Sequence, residues 1–234
     1  MTHDVAGPSV ASAGSTAVAL RPYYEKDGIT IYHGDCRTIY GGLQFDAIVS
    51  DPPYGMNYTG HSGKGNLIHS KGGGRNEKAK VSGDDRPFDV AEWLAWPCVF
   101  SGATWYYDRL PPGGSLHSWD KRGEYKRTSF ADCDIIWCSR KIQSQTFRLV
   151  WRGLCRHAEN KERIVHPTQK PVELMRWMIG LVGVRNVETV LDPFMGSGST
   201  LLAARAEGLS AVGIEIEERY CEIAAKRLSQ GVLF

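Results

Sequence analysis

The sequence predicts a single α/β domain, and three observations carry that reading. Its 234 residues suffice to bury one sizeable core. An apolar run from Phe45 to Val49 empties into the turn Asp51-Pro52-Pro53-Tyr54, as a buried strand does. Near the other end, a buried strand from Val187 to Leu191, a turn carrying Gly196 and Gly198, a helix to Glu207 and a strand from Ser210 to Ile214 compose a βαβ unit.

Composition narrows the class. The formal net charge is only +2, so the distribution of charge says more about partners than its sum. Residues 1–22 are rich in Ala, Ser, Gly and Val without a basic start or a strong apolar core, and a disordered arm is expected there ahead of one domain over 23–234. No apolar run approaches the roughly 20 residues of a membrane span, so a cytoplasmic protein is expected. The six cysteines include no Cys-x-x-Cys pair. Cys133, Cys138, Cys155 and His157 fit none of the usual zinc spacings, so reduced thiols and no metal are expected.

Taken in order, Gly28 to His33 alternates like a strand and ends at Gly34-Asp35-Cys36. An acid at a strand's carboxyl end faces the ligand crevice of an α/β protein, and an Asp before Arg37-Thr38-Ile39 would equally cap a helix. Both readings stay open. From 57 to 80 the pattern dissolves into a Gly- and Ser-rich stretch in which Lys64, Lys71, Arg75, Lys78 and Lys80 face Glu77 alone. That composition suits a mobile basic loop for a polyanion, or a solvated loop. Pro87 to Leu110 reads as a helical stretch with Trp93, Leu94, Val99 and Phe100 on one side, interrupted at Pro97. Ser115 to Trp119 reads as a short strand, and Ile135 to Cys138 and Phe147 to Trp151 are further short apolar runs. Across 121–163 eleven basic residues, among them Lys121, Arg122, Lys126, Arg127, Arg140 and Lys141, face five acidic ones. Tyr125, Phe130, Trp137, Phe147 and Trp151 are interleaved. The segment reads as a nucleic-acid-binding surface that holds phosphates and stacks bases, or as a solvated face over a core. Pro171 opens a helix from Val172 to Val182, and an amphipathic helix from Glu217 to Leu228 closes the chain.

The glycine turn carries chemistry. Gly196 and Gly198 let the backbone approach a ligand closely, and Glu215, 17 residues after Gly198, is placed to accept two ribose hydroxyls. A dinucleotide fingerprint would have a third glycine where Leu201 stands, and a phosphate loop would have a lysine that this turn lacks. The ligand expected here has a ribose and no cradled phosphate, a description that S-adenosylmethionine fits.

Asp51-Pro52-Pro53-Tyr54, His166-Pro167-Thr168-Gln169-Lys170-Pro171 and the stretch Leu191 to Thr200 together resemble the β-class DNA amino-methyltransferases, which modify N6 of adenine or N4 of cytosine. The catalytic motif preceding the cofactor glycines is the order of that class, and the resemblance spans about Gly28 to Leu228. It implies a doubly wound, mostly parallel seven-stranded sheet with one antiparallel strand. It also implies Asp35 and Cys36 near the adenine of S-adenosylmethionine, and Lys170 with Thr168 and Gln169 at the methionine carboxylate. Asp192, Phe194, Gly196, Gly198, Ser199 and Thr200 would line the remainder, and Glu215 would hold the ribose.

The chemistry of the first motif agrees. An exocyclic amine is a weak nucleophile because its lone pair is delocalised into the ring. The Asp51 carboxylate and the Pro52 carbonyl, as acceptors of its hydrogens, would free that pair, and Tyr54 would stack on a flipped base. The resemblance associates Asp at the first position with adenine, so transfer to adenine N6 in double-stranded DNA is expected. Cytosine N4, an RNA substrate, or a silent nucleic-acid-binding protein are the alternatives. The short recognition segment also suggests a homodimer, with a restriction nuclease as a possible cognate partner.

Overall fold

The computed structural model describes residues 20–57, 82–125, 131–152, 155–156, 169–183 and 187–230. Most of the expected N-terminal arm (1–22) and of the expected basic loop (57–80), with Lys64, Lys71 and Arg75, lies outside the described residues. So do Lys126, Arg127 and Thr168.

Among the described residues, eleven strands and four α-helices follow in chain order: β1 (Tyr24–Lys26), β2 (Ile29–His33), α1 (Cys36–Ile39), β3 (Ala47–Ser50), β4 (Cys98–Ser101), β5 (Ser115–Asp120), β6 (Cys133–Cys138), β7 (Thr146–Arg148), β8 (Trp151–Arg152), β9 (Cys155–Arg156), α2 (Val172–Val182), β10 (Thr189–Asp192), α3 (Ser199–Ala206), β11 (Ser210–Glu215) and α4 (Glu218–Ser229). Nine of the strands form one sheet in the order β1-β2-β11-β10-β3-β4-β6-β5-β7, and β8 and β9 pair separately. Strands β2, β11, β10, β3 and β4 are mutually parallel, and β6 runs antiparallel between β4 and β5. The expected seven strands with one antiparallel member are therefore present as β2 to β5 of that order. Two edge strands extend them: β1, antiparallel to β2, and β7, parallel to β5.

The central strands are buried on both faces and read as continuous apolar runs, as parallel strands do. Alternate residues serve two cores. Ala47 and Val49 of β3 and Val99 of β4 join the α2, α3 and α4 side, where Leu174, Met178, Leu201 and Leu228 pack. Ile48, Cys98 and Phe100 point the other way, to Ile39, Phe88, Trp93 and Tyr106. Helix α3 fits tightly because its buried residues include Ala203 and Ala204. Pro171 (φ −64°) enters α2, and Gly183 (φ +89°) ends it in the left-handed region.

The expected helix over Pro87–Leu110 is replaced by strand β4 between short 3₁₀ turns at Val90–Trp93, Ala103–Trp105 and Tyr107–Arg109. The spacing of Trp93, Val99 and Phe100 imitates a helical face, but Val99 and Phe100 go to opposite faces of the sheet. Cys133 and Cys138 stand at opposite ends of β6. Among the described residues, no helix is long and apolar enough to cross a membrane.

The connections place a crevice. From β10 the chain passes through α3 to β11 on one side, whereas from β3 it goes to β4 on the other. Neighbouring parallel strands whose continuations diverge leave a gap beyond their carboxyl ends, the usual ligand position in open α/β sheets. Asp51 and Asp192 stand there.

Candidate active site at the carboxyl edge of the sheet

Asp51 follows the last residue of β3 and is held by three donors. Tyr54 Oη and Ser101 Oγ both donate to Oδ1, and Lys170 Nζ donates to Oδ2 at 2.6 Å. Lys170 also lies 3.2 Å from Tyr54 Oη and 5.5 Å from the centre of its ring. The Tyr54 ring runs across Gly102 (φ +76°), where an added Cβ would overlap it, so glycine is required by both conformation and space. Burial pushes the Tyr54 hydroxyl well above its usual range, with the Asp51 charge adding to the effect. It stays a neutral donor. Tyr106 fastens the far side by donating to the Ser101 carbonyl at 2.7 Å.

The exit of this turn is fixed by Asp84, only 3% exposed. Its Oδ1 accepts the Gly55 N–H at 2.7 Å and the Met56 N–H at 3.2 Å, and its carbonyl accepts the Asn57 N–H at 2.9 Å. Sequence reasoning missed Asp84, Ser101 and Ser50. Ser101 lay inside the stretch read as helix. Asp84 acts on backbone groups 28 and 29 positions away, and a polar residue among polar residues gives no pattern for that.

Across the crevice, Asp192 ends β10. Ser50 Oγ donates to its Oδ1 at 2.5 Å, the Phe194 N–H donates to the same oxygen at 3.0 Å, and Thr200 Oγ1 donates to Oδ2. Burial raises its pKa from 3.8 to about 6, against the lowering effect of those bonds. Glu215 ends β11 and accepts the N–H of Gly196 at 2.9 Å and of Glu217 at 2.8 Å. Burial pushes its carboxyl up too. Gly198 (φ +80°) lies against α4, where a Cβ would stand 2.9 Å from the Ala224 methyl. Ser199 Oγ donates to the Lys170 carbonyl at 2.8 Å and ties the glycine turn to the entry of α2. A cavity of about 50 Å³ joins the two halves, lined by Asp51, Gln169, Lys170, Asp192, Phe194, Gly196, Ser199 and Thr200 among others.

Asp35 proves to be a helix cap, its Oδ1 accepting the Arg37 N–H at 3.0 Å. The residue before it is tied to β11, where the Glu215 carbonyl accepts the Gly34 N–H at 2.9 Å, and Asp35 itself is exposed and does not line the cavity described above. Cys36 is buried, and desolvation pushes its thiol up to about 12. Such a thiol is no nucleophile at neutral pH.

The described basic residues of the predicted DNA-binding set lie at two different edges of the sheet. Lys121 and Arg122 lie at the carboxyl edge, paired with Asp134 at 2.7 Å and Asp132 at 3.0 Å. Because β6 is antiparallel, Arg140 and Lys141 emerge at the opposite edge, where Arg140 donates to the Leu181 carbonyl at 2.9 Å.

The chain is similar to several known proteins. A family model for N6/N4 methyltransferases, described as DNA methylase, matches residues 116–226. The type II methyltransferase M2.LlaDCHI of Lactococcus lactis subsp. cremoris is 24% identical over 257 residues, covering 92% of this chain and 94% of that protein. M2.DpnII of Streptococcus pneumoniae is 25% identical over 251 residues, with 89% and 92% covered. Among solved structures, the M1.HpyAVI–SAM complex superposes with a TM-score of 0.53 at 24% identity, over 86% of this chain and 98% of that one. PvuII DNA methyltransferase, described as cytosine-N4-specific, does so with 0.61 at 14%, over 92% of each. These two share the fold.

The state of Asp192 can be read from stability. Its folded pKa lies above 3.8, so the stability this group contributes is present below about pH 4 and is lost as pH rises through about 6. Asp192→Asn keeps the shape and removes the titration. Relative to wild type, it is expected to gain up to about 3 kcal/mol between about pH 4 and about pH 7 in urea unfolding. Parallel pH profiles for the two proteins would refute the burial assignment.

Proposed function

The chain belongs to the DNA amino-methyltransferase family, and on that footing we propose that it transfers a methyl group from S-adenosylmethionine to N6 of a flipped adenine in double-stranded DNA. The observation that carries the reading is the shared cavity. Asp51 on one wall and Asp192, Gly196 and Ser199 on the other line the same space, so an acceptor amine and a donor held by the glycine turn would meet without crossing protein.

Asp192 on the second wall, and Glu215, which accepts the N–H of that wall's Gly196, suit this donor. Asp192 and Glu215 are carboxyls that burial pushes upward, and a cationic ligand bearing vicinal hydroxyls would stabilise their ionised forms. The same acids disfavour a phosphate. Gly198 leaves no room for a side chain against α4, which keeps the turn tight and its backbone close to a ligand. When bound, S-adenosylmethionine supplies an electrophilic methyl whose bonding pair returns to sulfur as the new N–C bond forms.

Asp51 does the work on the acceptor side. One hydrogen of the amine would be accepted by its carboxylate and another by the Pro52 carbonyl, which favours a pyramidal nitrogen with its lone pair free. Tyr54, Ser101 and Lys170 hold that carboxylate in place before the base arrives, so no reorganisation is required as positive charge develops. The surplus proton on nitrogen then leaves towards Asp51 and water. Orientation supplies much of the rest of the rate. Asp51, as the first residue of its motif, favours adenine over cytosine. Of the basic residues, Lys121 and Arg122 share the site's edge and are the ones proposed to meet DNA there.

Radiolabelled methyl transfer to unmodified genomic DNA, followed by nucleoside analysis, tests the whole reading. Label is expected in N6-methyladenine. Label in N4-methylcytosine would overturn the base assignment, and label confined to RNA would overturn the substrate. Asp51→Ala is expected to slow transfer by at least about 100-fold while S-adenosylmethionine still binds. Tyr54→Ala is expected to weaken binding of DNA carrying an extrahelical target base. Asp84→Ala should cost about tenfold in rate through misplacement of Tyr54. Asp84→Asn, whose amide oxygen accepts the same two N–H groups, should restore most of it. Equal losses in both Asp84 variants would show that the carboxylate does not act as this anchor.

A further inference from the structure

Lys170 is the residue whose observed partners differ most from those its motif implies. The resemblance sends it to the methionine carboxylate of the donor. Here its main chain is pinned at the entry of α2, with Pro171 after it at φ −64° and its carbonyl accepting Ser199 Oγ at 2.8 Å. Its side chain crosses the crevice to Asp51 Oδ2 at 2.6 Å and Tyr54 Oη at 3.2 Å. The two charged side chains are 13% and 17% exposed. We infer that Lys170 is a positioning residue for the acceptor side: its ammonium holds the Asp51 carboxylate and the Tyr54 hydroxyl in the arrangement that receives the target amine. The inference rests on the methyltransferase reading above.

The energetics favour this partner. Withdrawing one member of a largely buried ion pair leaves an uncompensated charge, which is far more costly than the pair itself is stabilising. A lysine that left Asp51 to meet the donor would leave the catalytic carboxylate without its cation at the moment the base arrives. The bonds also divide the carboxylate usefully. Oδ1 takes two hydroxyl donors and Oδ2 takes the ammonium. Three donors from β4, from the turn itself and from the α2 entry fix both its rotation and its position. A second lone pair on Oδ2 remains to accept the amine hydrogen.

The test separates a donor-side role from an acceptor-side one on the full-length protein. Lys170→Met and Lys170→Arg are compared with wild type for binding of S-adenosylhomocysteine, which carries the amino-acid carboxylate, and of 5′-methylthioadenosine, which lacks it. Single-turnover methylation of unmodified genomic DNA is measured at saturating S-adenosylmethionine. Lys170→Met is expected to lose about 100-fold or more in rate. Its preference for S-adenosylhomocysteine over methylthioadenosine should stay within about threefold of wild type. Lys170→Arg, which keeps the charge, should recover part of the rate. The inference is overturned if Lys170→Met binds S-adenosylhomocysteine about tenfold or more weakly, keeps its affinity for methylthioadenosine and methylates at a near-normal saturating rate. It is equally overturned if both variants weaken both analogues alike and recover no rate with arginine. Wild-type protein that binds neither analogue would sink the methyltransferase reading, and this inference with it.

Discussion

The hydrogen bond from Ser50 Oγ to Asp192 Oδ1, 2.5 Å long and buried, holds the site together. It joins the ends of β3 and β10, the two neighbouring strands whose chains depart in opposite directions and so open the crevice. The same pair of strands is closed at its other end, where Asp46 Oδ2 accepts the N–H groups of Glu188 and Thr189 at 2.9 and 2.8 Å. Anchored at both ends, β3 delivers Asp51 and β10 delivers Asp192 to the same edge of the sheet. Any slip of one strand against the other would separate the two walls of the cavity. A one-residue slip would also send every side chain to the wrong face.

The crevice concentrates acids, and the fold offsets them with a cation, hydroxyls and backbone N–H groups. Asp51 has a cation, Lys170. Asp84 has the backbone N–H groups of Gly55 and Met56. Asp192 has two hydroxyls and one N–H, and Glu215 has two N–H groups. Asp192 and Glu215, held by neutral donors, are pushed upward by burial. The acceptor wall carries its own cation, whereas beside the donor wall the Arg227 guanidinium is turned to the Ser197 carbonyl at 2.8 Å and not to Asp192 or Glu215. The asymmetry suits a reaction that brings a cationic ligand to one side and a neutral amine to the other.

Much of this was legible in the sequence, and what was not has physical causes. The βαβ unit from Val187 to Glu215 could be read because its glycines mark the only tight turn between a continuous apolar run and a helical pattern. The Asp51 turn could be read because two prolines end a buried strand. Strand β4 could not, because four residues buried on both faces have no alternation, and the Pro97 that precedes it resembles a kink. With β4 went Ser101 and Tyr106, the supports of Asp51 and Tyr54. Short edge strands such as β1 and β7, three residues each, carry too few side chains to show a period. The basic run over 121–163 looked like one surface because charge along a chain ignores direction. Among its described residues, an antiparallel strand, β6, separates Lys121 and Arg122 from Arg140 and Lys141.

The site as a whole is likewise indifferent to order along the chain. Asp51 and Asp192 are separated by most of the chain, and the catalytic motif precedes the glycine turn. Nothing in the site depends on this order, because β3 and β10 are neighbours in the sheet. What the site requires is a parallel pair with diverging connections, a carboxylate at the end of each strand, and a bridge between them. Lys170 and Ser199 supply a second bridge from the helical side, through a backbone carbonyl and an ammonium that face opposite walls. A chain that met those conditions with its strands visited in another order would build the same cavity. The order of motifs along the sequence therefore identifies relatives, while the order of strands in the sheet is what places the chemistry.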